Sequence, residues 1–165
     1  YILTQMSVQG LSYGEALRAA QEKGFAEADP TDDVEGFDAA NKLSILLALA
    51  FGEIVPPGDI PTEGIAGITA ERIRAAAARG HAIKLIAGAE WTEEGLTCKV
   101  GPEELPASHP LAGVGNEFNA VFVEGNAVGE LMFYGRGAGA LPTGSAVLGD
   151  IIGIGEAIAG KERTA

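Results

Sequence analysis

The feature that most restricts the fold is a change of period. Up to Gly80 apolar residues recur at helical spacing, and from His81 to about Gly135 they alternate. A chain patterned this way builds helices first and strands afterwards, which excludes a repeating βαβ series.

In "LSYGEALRAAQEKG", Ser12 and Glu15 have the spacing of a capping box, and Gly24 supplies a stop. A second, longer helix is expected from about Gly36 to Phe51. "GEIVPPGDIP" then reads as a turn-rich connector. Thr69 can cap a helix closed by Gly80, with Arg72, Arg74 and Arg79 outward. "HAIKLIAGAEW", "GLTCKVGPEEL", "NEFNAVFVEG" and "NAVGELMFYG" are strand-like, and Glu124-Gly125-Asn126 suits the turn of a hairpin. The last segment, Leu141–Gly160, with Pro142 in its first turn, reads as a closing helix. The expected class is α+β: helices packed on a mainly antiparallel sheet with one helix among its strands, then a final helix.

The 23 acidic residues outnumber the 11 basic ones, for a formal charge of −12. Such a chain repels a phosphate backbone and an anionic membrane surface, so neither nucleic acid nor membrane is expected as a partner. The longest nearly apolar run, Leu43–Phe51, is far short of the roughly 20 residues a bilayer requires. Cys98 stands alone, which excludes an internal disulfide and suits a reducing, cytoplasmic setting; its expected role is that of a small buried hydrophobe. The chain starts at Tyr1 without a methionine or a leader and reads as part of a longer polypeptide.

The densest chemistry lies in "GFAEADPTDDVEGFDAANKL". Glu27, Asp29, Asp32, Asp33, Glu35 and Asp38 precede a single lysine, Lys42. On a helical wheel Asp38 and Lys42 share a stripe with Ile45, Leu46 and Leu49, so the pair is expected on the face turned to the interior. Four residues apart, the two reach each other. An exposed i,i+4 ion pair is the ordinary explanation; burial would point to another purpose, proton exchange with a substrate oxygen. The EF-hand pattern fails, because counting from Asp29 puts Val34 where glycine is required; a generic divalent-cation site in an oxygen-rich loop is the lesser alternative, and no metal site is expected. Asp33 and Glu35 have a second explanation as helix cap and dipole complement, which leaves Glu27 and Asp29 unexplained; a carboxylate such as Glu27 suits a substrate ammonium group.

This stretch resembles the substrate-domain signature of the homoserine dehydrogenase family, G-[FY]-x-E-x-D-P-x-x-D-x-x-G-x-D-x-x-x-K. Gly24, Phe25, Glu27, Asp29, Pro30, Asp33, Gly36, Asp38 and Lys42 meet every fixed position. "YILTQM" is similar to the end of the family's preceding helix, and "HPLAGVGNEFNAVFVEGNAVGELMFYGRGAGALPTGSAVLGDII" to its closing hairpin and return segment; "EGIAGIT" and "IKLIA" match more loosely.

The resemblance implies an NADP- or NAD-dependent interconversion of L-aspartate 4-semialdehyde and L-homoserine, on the route to threonine and methionine. Lys42 matches the family's proton-transferring lysine and Asp38 the aspartate that orients it; Glu27 matches the substrate-binding glutamate, with Asp33 a further candidate. Gly135, Gly137, Ala138 and Gly139 of "GRGAG" match the crossover whose backbone approaches the coenzyme. Asn41 stands where relatives often carry a basic residue.

The resemblance further implies a homodimer joined through the sheet and two parts to the chain: residues 1–134 for substrate binding, catalysis and dimerisation, and 135–165 for the crossover and a helix returning to a nucleotide-binding domain. Neither that Rossmann domain nor a regulatory ACT domain lies within the sequence, so the chain is expected to be inactive alone. Val147, Ile151, Ile154 and Ile158 form an apolar stripe suited to the partner domain. The alternative from another class is a non-catalytic dimerisation or amino-acid-sensing module.

Overall fold

The computed structural model describes residues 1–137 and 139–162, with Lys161 and Glu162 described by backbone alone. They form two compact units, Tyr1–Asn116 and the segment from Glu117 onward.

The first unit opens with α1 (Ile2–Gln9) and α2 (Tyr13–Glu22). The box at the start of α2 is complete: the Glu15 N–H donates to the Ser12 hydroxyl oxygen, while the Ser12 N–H and hydroxyl both donate to the Glu15 carboxylate. A short α3 (Thr31–Val34) and the long α4 (Phe37–Phe51) follow, then a turn of 3₁₀ helix at Pro57–Asp59. Thr69 caps α5 (Ala70–Ala78), its hydroxyl accepting from the Arg72 N–H. The antiparallel hairpin β1 (His81–Thr92) and β2 (Gly95–Pro106) completes the unit, before a 3₁₀ turn at Pro110–Gly113.

Two clusters make up the core of this unit. Ile2, Leu3 and Met6 of α1 meet Ala16 and Ala20 of α2, Val34, Ile65, Ile68, Ile73 and Ile83. Ala40, Leu43 and Leu47 of α4 meet Ile60 and Val100 of β2. Leu85 of β1 touches both clusters.

The second unit comprises the hairpin β3 (Phe118–Gly125) and β4 (Gly129–Arg136), then α6 (Ala140–Glu162). Phe118 stacks on Tyr134 with ring centres 4.8 Å apart, and the Arg136 guanidinium lies over the Phe118 ring. Much of the hairpin's apolar surface is exposed, Phe133 and Tyr134 included. So are Val147, Ile151, Ile154 and Ile158 of α6, as the sequence stripe implies.

Helices followed by antiparallel strands give the expected α+β class, with three differences of detail. The strands form two separate two-stranded sheets. The expected helix among the strands is absent from the described residues: α5 precedes β1, and only a 3₁₀ turn separates β2 from β3. Cys98 is half-buried, since it sits opposite Ala89 on a hairpin covered on one side by α4.

Among the described residues one helix, Ala140–Gly160, is long and apolar enough to cross a membrane by length and composition alone. A search for one unbroken apolar run misses it, because Asp150 and Glu156 interrupt the segment.

Candidate functional site

The acidic loop is shaped by its own carboxylates. The Asp29 side chain accepts from the Thr31 hydroxyl at 2.6 Å and from the Thr31 N–H at 3.2 Å, an Asx turn that starts α3. The hydroxyl bond, aided by the backbone one, holds the Asp29 carboxyl below the usual carboxylate range. Asp29 therefore has a structural occupation.

Asp33 differs from the expected cap. It lies inside α3, and α4 begins instead at Gly36, whose φ of 84° no other residue adopts cheaply. One Asp33 oxygen accepts from the Glu27 N–H at 3.4 Å, which ties the Asp33 carboxylate to the Glu27 main chain. Gln21 of α2 fixes the same strand of loop by donating to the Glu27 and Ala28 carbonyls. The Glu27 side chain is exposed and has no partner among the described residues.

One turn into α4 the Lys42 ammonium donates to the Asp38 carboxylate at 2.5 Å. The pair forms as its spacing requires, but its surroundings overturn the expectation of an interior face. The Lys42 side chain is 70% exposed and that of Asp38 46%. Ile45 at 61% and Leu49 at 79% are exposed beside them. The buried stripe is Ala40, Leu43 and Leu47. Because α4 carries apolar residues on two sides, periodicity cannot say which side meets this chain's own core. The Lys42 stripe is an apolar surface that nothing in this unit covers.

A strap of chain, Pro61–Ile65, holds this region to the sheet. The Glu63 N–H donates to the Val100 carbonyl, the Val100 N–H to the Pro61 carbonyl, and the Ile65 N–H to the Val34 carbonyl at 2.8 Å. Two shallow depressions border the strap, one reaching Phe37 and Asn41 and the other Lys99 and Glu103; Glu27, Asp33, Asp38 and Lys42 line neither. Among the described residues no group of three His, Cys, Asp or Glu side chains converges as metal ligands would.

At the crossover, an added Cβ at Gly135 would meet nothing within 4 Å, whereas one at Gly137 would lie 2.1 Å from the Asn119 amide nitrogen. Asn119 is exposed and its amide can swing aside, so this approach does not by itself require glycine at 137. Gly139 has a conformational reason to be glycine, φ 112°. Ala138 lies outside the described residues.

Two side chains went unremarked in the sequence. Lys84 is half-buried on β1, donates to the Val114 carbonyl, and is held below the usual lysine range by desolvation. Its signal was a lysine in the middle of an apolar strand. Gln5, buried on α1, donates to the side chain of Asn116, the one described non-glycine residue with positive φ; no pattern announces that pairing.

The sequence profile of the family described as homoserine dehydrogenase matches residues 1–152. The chain is 51% identical to homoserine dehydrogenase of Corynebacterium glutamicum and 47% identical to that of Bacillus subtilis, over 93% of its own length in each case. It spans 36% of the length of these relatives. Among solved structures, homoserine dehydrogenase of S. aureus at pH 6.0 superposes with a TM-score of 0.87 at 42% identity, over 96% of this chain and 40% of that one. A hyperthermophilic archaeal homoserine dehydrogenase mutant in complex with NADPH superposes at 0.68 with 32% identity, over 92% of this chain and 42% of that one. Signature, fold and likeness agree, and the chain belongs to the homoserine dehydrogenase family.

Proposed function

We propose that this chain is the substrate-binding, catalytic and dimerisation part of a homoserine dehydrogenase, working as a portion of a longer cytoplasmic polypeptide. In that reading residues 1–134 form the substrate and dimer domain and 135–165 return to a nucleotide-binding domain. The reaction is the interconversion of L-aspartate 4-semialdehyde and L-homoserine in threonine and methionine biosynthesis.

The observation that carries the reading is the signature from Gly24 to Lys42, met at every fixed position in a chain 51% identical to a homoserine dehydrogenase. It brings Asp38 within a hydrogen bond of Lys42 on a face of α4 that its own unit leaves uncovered, just beyond a loop bearing an unpaired Glu27. An amino-acid substrate brings an ammonium group and a reacting oxygen. Glu27 suits the first as a carboxylate without a competing partner, and Asp33 fixes the Glu27 main chain. Lys42 suits the second: in reduction it gives a proton to the aldehyde oxygen, and in oxidation it takes the hydroxyl proton back. Asp38 holds the amine in place throughout. An isolated exposed pair would be worth little. Closure of another surface over Ile45, Leu46 and Leu49 would remove water and strengthen every charge interaction at the pair.

The coenzyme, NADP or NAD, supplies or accepts the hydride when bound. The crossover residues Gly135, Gly137, Ala138 and Gly139 are proposed to approach it by backbone. Open space at Gly135 and the positive φ of Gly139 are compatible with that role. The NADPH complex of a relative supports a nicotinamide coenzyme. The exposed apolar hairpin β3–β4 is consistent with a homodimer joined through its strands.

The test is Lys42→Ala in the full-length enzyme. Turnover is expected to fall by about 100-fold or more with the fold intact; near-normal turnover removes the role. The chain by itself is expected to show no dehydrogenase activity.

A further inference from the structure

α3 carries Asp33, to which the Glu27 main chain is bound, and α4 carries Asp38 and Lys42. Only Glu35 and Gly36 join the two helices. A joint of two residues, one a glycine in the left-handed region, has little stiffness of its own.

Something else must fix the angle, and the strap Pro61–Ile65 makes the contacts that do so. Its Ile65 N–H holds the Val34 carbonyl at the end of α3, while its Glu63 N–H and Pro61 carbonyl bind Val100 in the middle of β2. Thr62 pairs with Val100 as a short parallel bridge, and the Thr62 and Val100 methyls close over Gly36.

Gly64 sits where strap and joint approach most closely. A Cβ there would lie 2.6 Å from the Val34 carbonyl oxygen and 2.8 Å from the Glu35 Cα. Both are backbone atoms and cannot swing aside. The φ of Gly64 lies outside the left-handed region, so close approach, not its own conformation, is the reason for glycine. Gly67, in the same loop, faces open space.

We propose that the strap is a positioning device for the reaction, with Gly64 as its positioning residue: it sets the spacing between the carboxylates that receive the substrate and the Asp38–Lys42 pair that moves its proton. This rests on the roles proposed above for Glu27, Asp38 and Lys42.

The test compares Gly64→Ala with Gly67→Ala in the full-length enzyme. To accept the methyl group the joint must move by a good part of an ångström, and misplacement of about 1 Å costs up to roughly 100-fold in rate. The expected result for Gly64→Ala is a 10- to 100-fold loss of kcat/KM for homoserine, with a coenzyme KM matching that of Gly67→Ala, which behaves as wild type, and a melting temperature lowered by the overpacked joint. Homoserine kinetics like wild type in folded Gly64→Ala overturn the proposal. So does an equal loss in the homoserine and coenzyme parameters, the mark of a merely structural glycine.

If Gly64→Ala does not fold, hydrogen exchange on the wild-type enzyme decides. Homoserine should slow exchange of the Ile65 and Glu63 amides by about ten-fold or more, since a ligand spanning the joint suppresses opening of the strap; unchanged exchange overturns the proposal. Lys42→Ala separates the two levels. Loss of turnover in Lys42→Ala with wild-type kinetics in Gly64→Ala rejects the strap alone, whereas normal turnover in Lys42→Ala rejects the site itself.

Discussion

Replacing Leu47 and Leu49 by alanine, one at a time, tests which side of α4 this chain buries. Leu47 is 1% exposed and sits among Ala40, Leu43, Ile60 and Val100. Its truncation leaves a cavity in the α4–β2 cluster and should cost about 2–5 kcal/mol. Leu49, 79% exposed, gives up little buried surface, and its truncation should stay within about 0.5 kcal/mol. Urea unfolding of the 165-residue chain, followed by far-ultraviolet circular dichroism, resolves the difference as a lowered midpoint for Leu47→Ala and an unmoved one for Leu49→Ala. Equal losses would mean that the Lys42 stripe is already covered within the chain. The inference that another surface must close over Lys42 would then fall.

At the start of α2, Ser12→Ala should cost about 1 kcal/mol by removing the cap. Bonds from Ser12, side chain before backbone, hold the Glu15 carboxyl below its ordinary value, so the stabilisation it gives is present above that ordinary value and lost as pH falls through the lowered one. Urea midpoints across that acid window should show less pH dependence in Ser12→Ala than in wild type; equal dependence would contradict the assignment. On α6, the exposed stripe of Val147, Ile151, Ile154 and Ile158 should drive self-association of the isolated chain, relieved by Ile154→Glu. Light scattering that finds only monomer at high concentration would refute it.

The helices were legible wherever a local signal governs their ends. Ser12 with Glu15 and Thr69 are caps whose geometry depends only on neighbours in sequence, and both are present. The alternating strands were legible too, and so was the last hairpin, although its turn lies at residues 126–128 and Glu124 and Gly125 still pair in β3; the pairing of β1 with β2 was not anticipated. What failed depended on contacts distant in sequence. The buried side of α4 is chosen by Val100 and Ile60, which arrive long after it, and the wheel alone offered two apolar sides.

Asp33 was assigned a cap because an acid ahead of a long helix usually is one; it lies instead within the intervening α3, and Gly36 holds the cap position of α4. The signature residues were readable as a set, and the i,i+4 bond between Asp38 and Lys42 follows from spacing. The part played by Gly64 was not readable, since its reason is a close approach to Val34 from thirty residues away.

The central claim is that the Lys42 amine exchanges a proton with the substrate oxygen, and turnover of Lys42→Arg in the full-length enzyme tests it most directly. Arginine keeps the positive charge and its attraction to Asp38 but does not release a proton at ordinary pH. Proton transfer by Lys42 predicts a loss of about 100-fold or more in kcat, with homoserine still bound. Turnover within about two-fold of wild type in Lys42→Arg would show that only the charge matters, and would contradict the account.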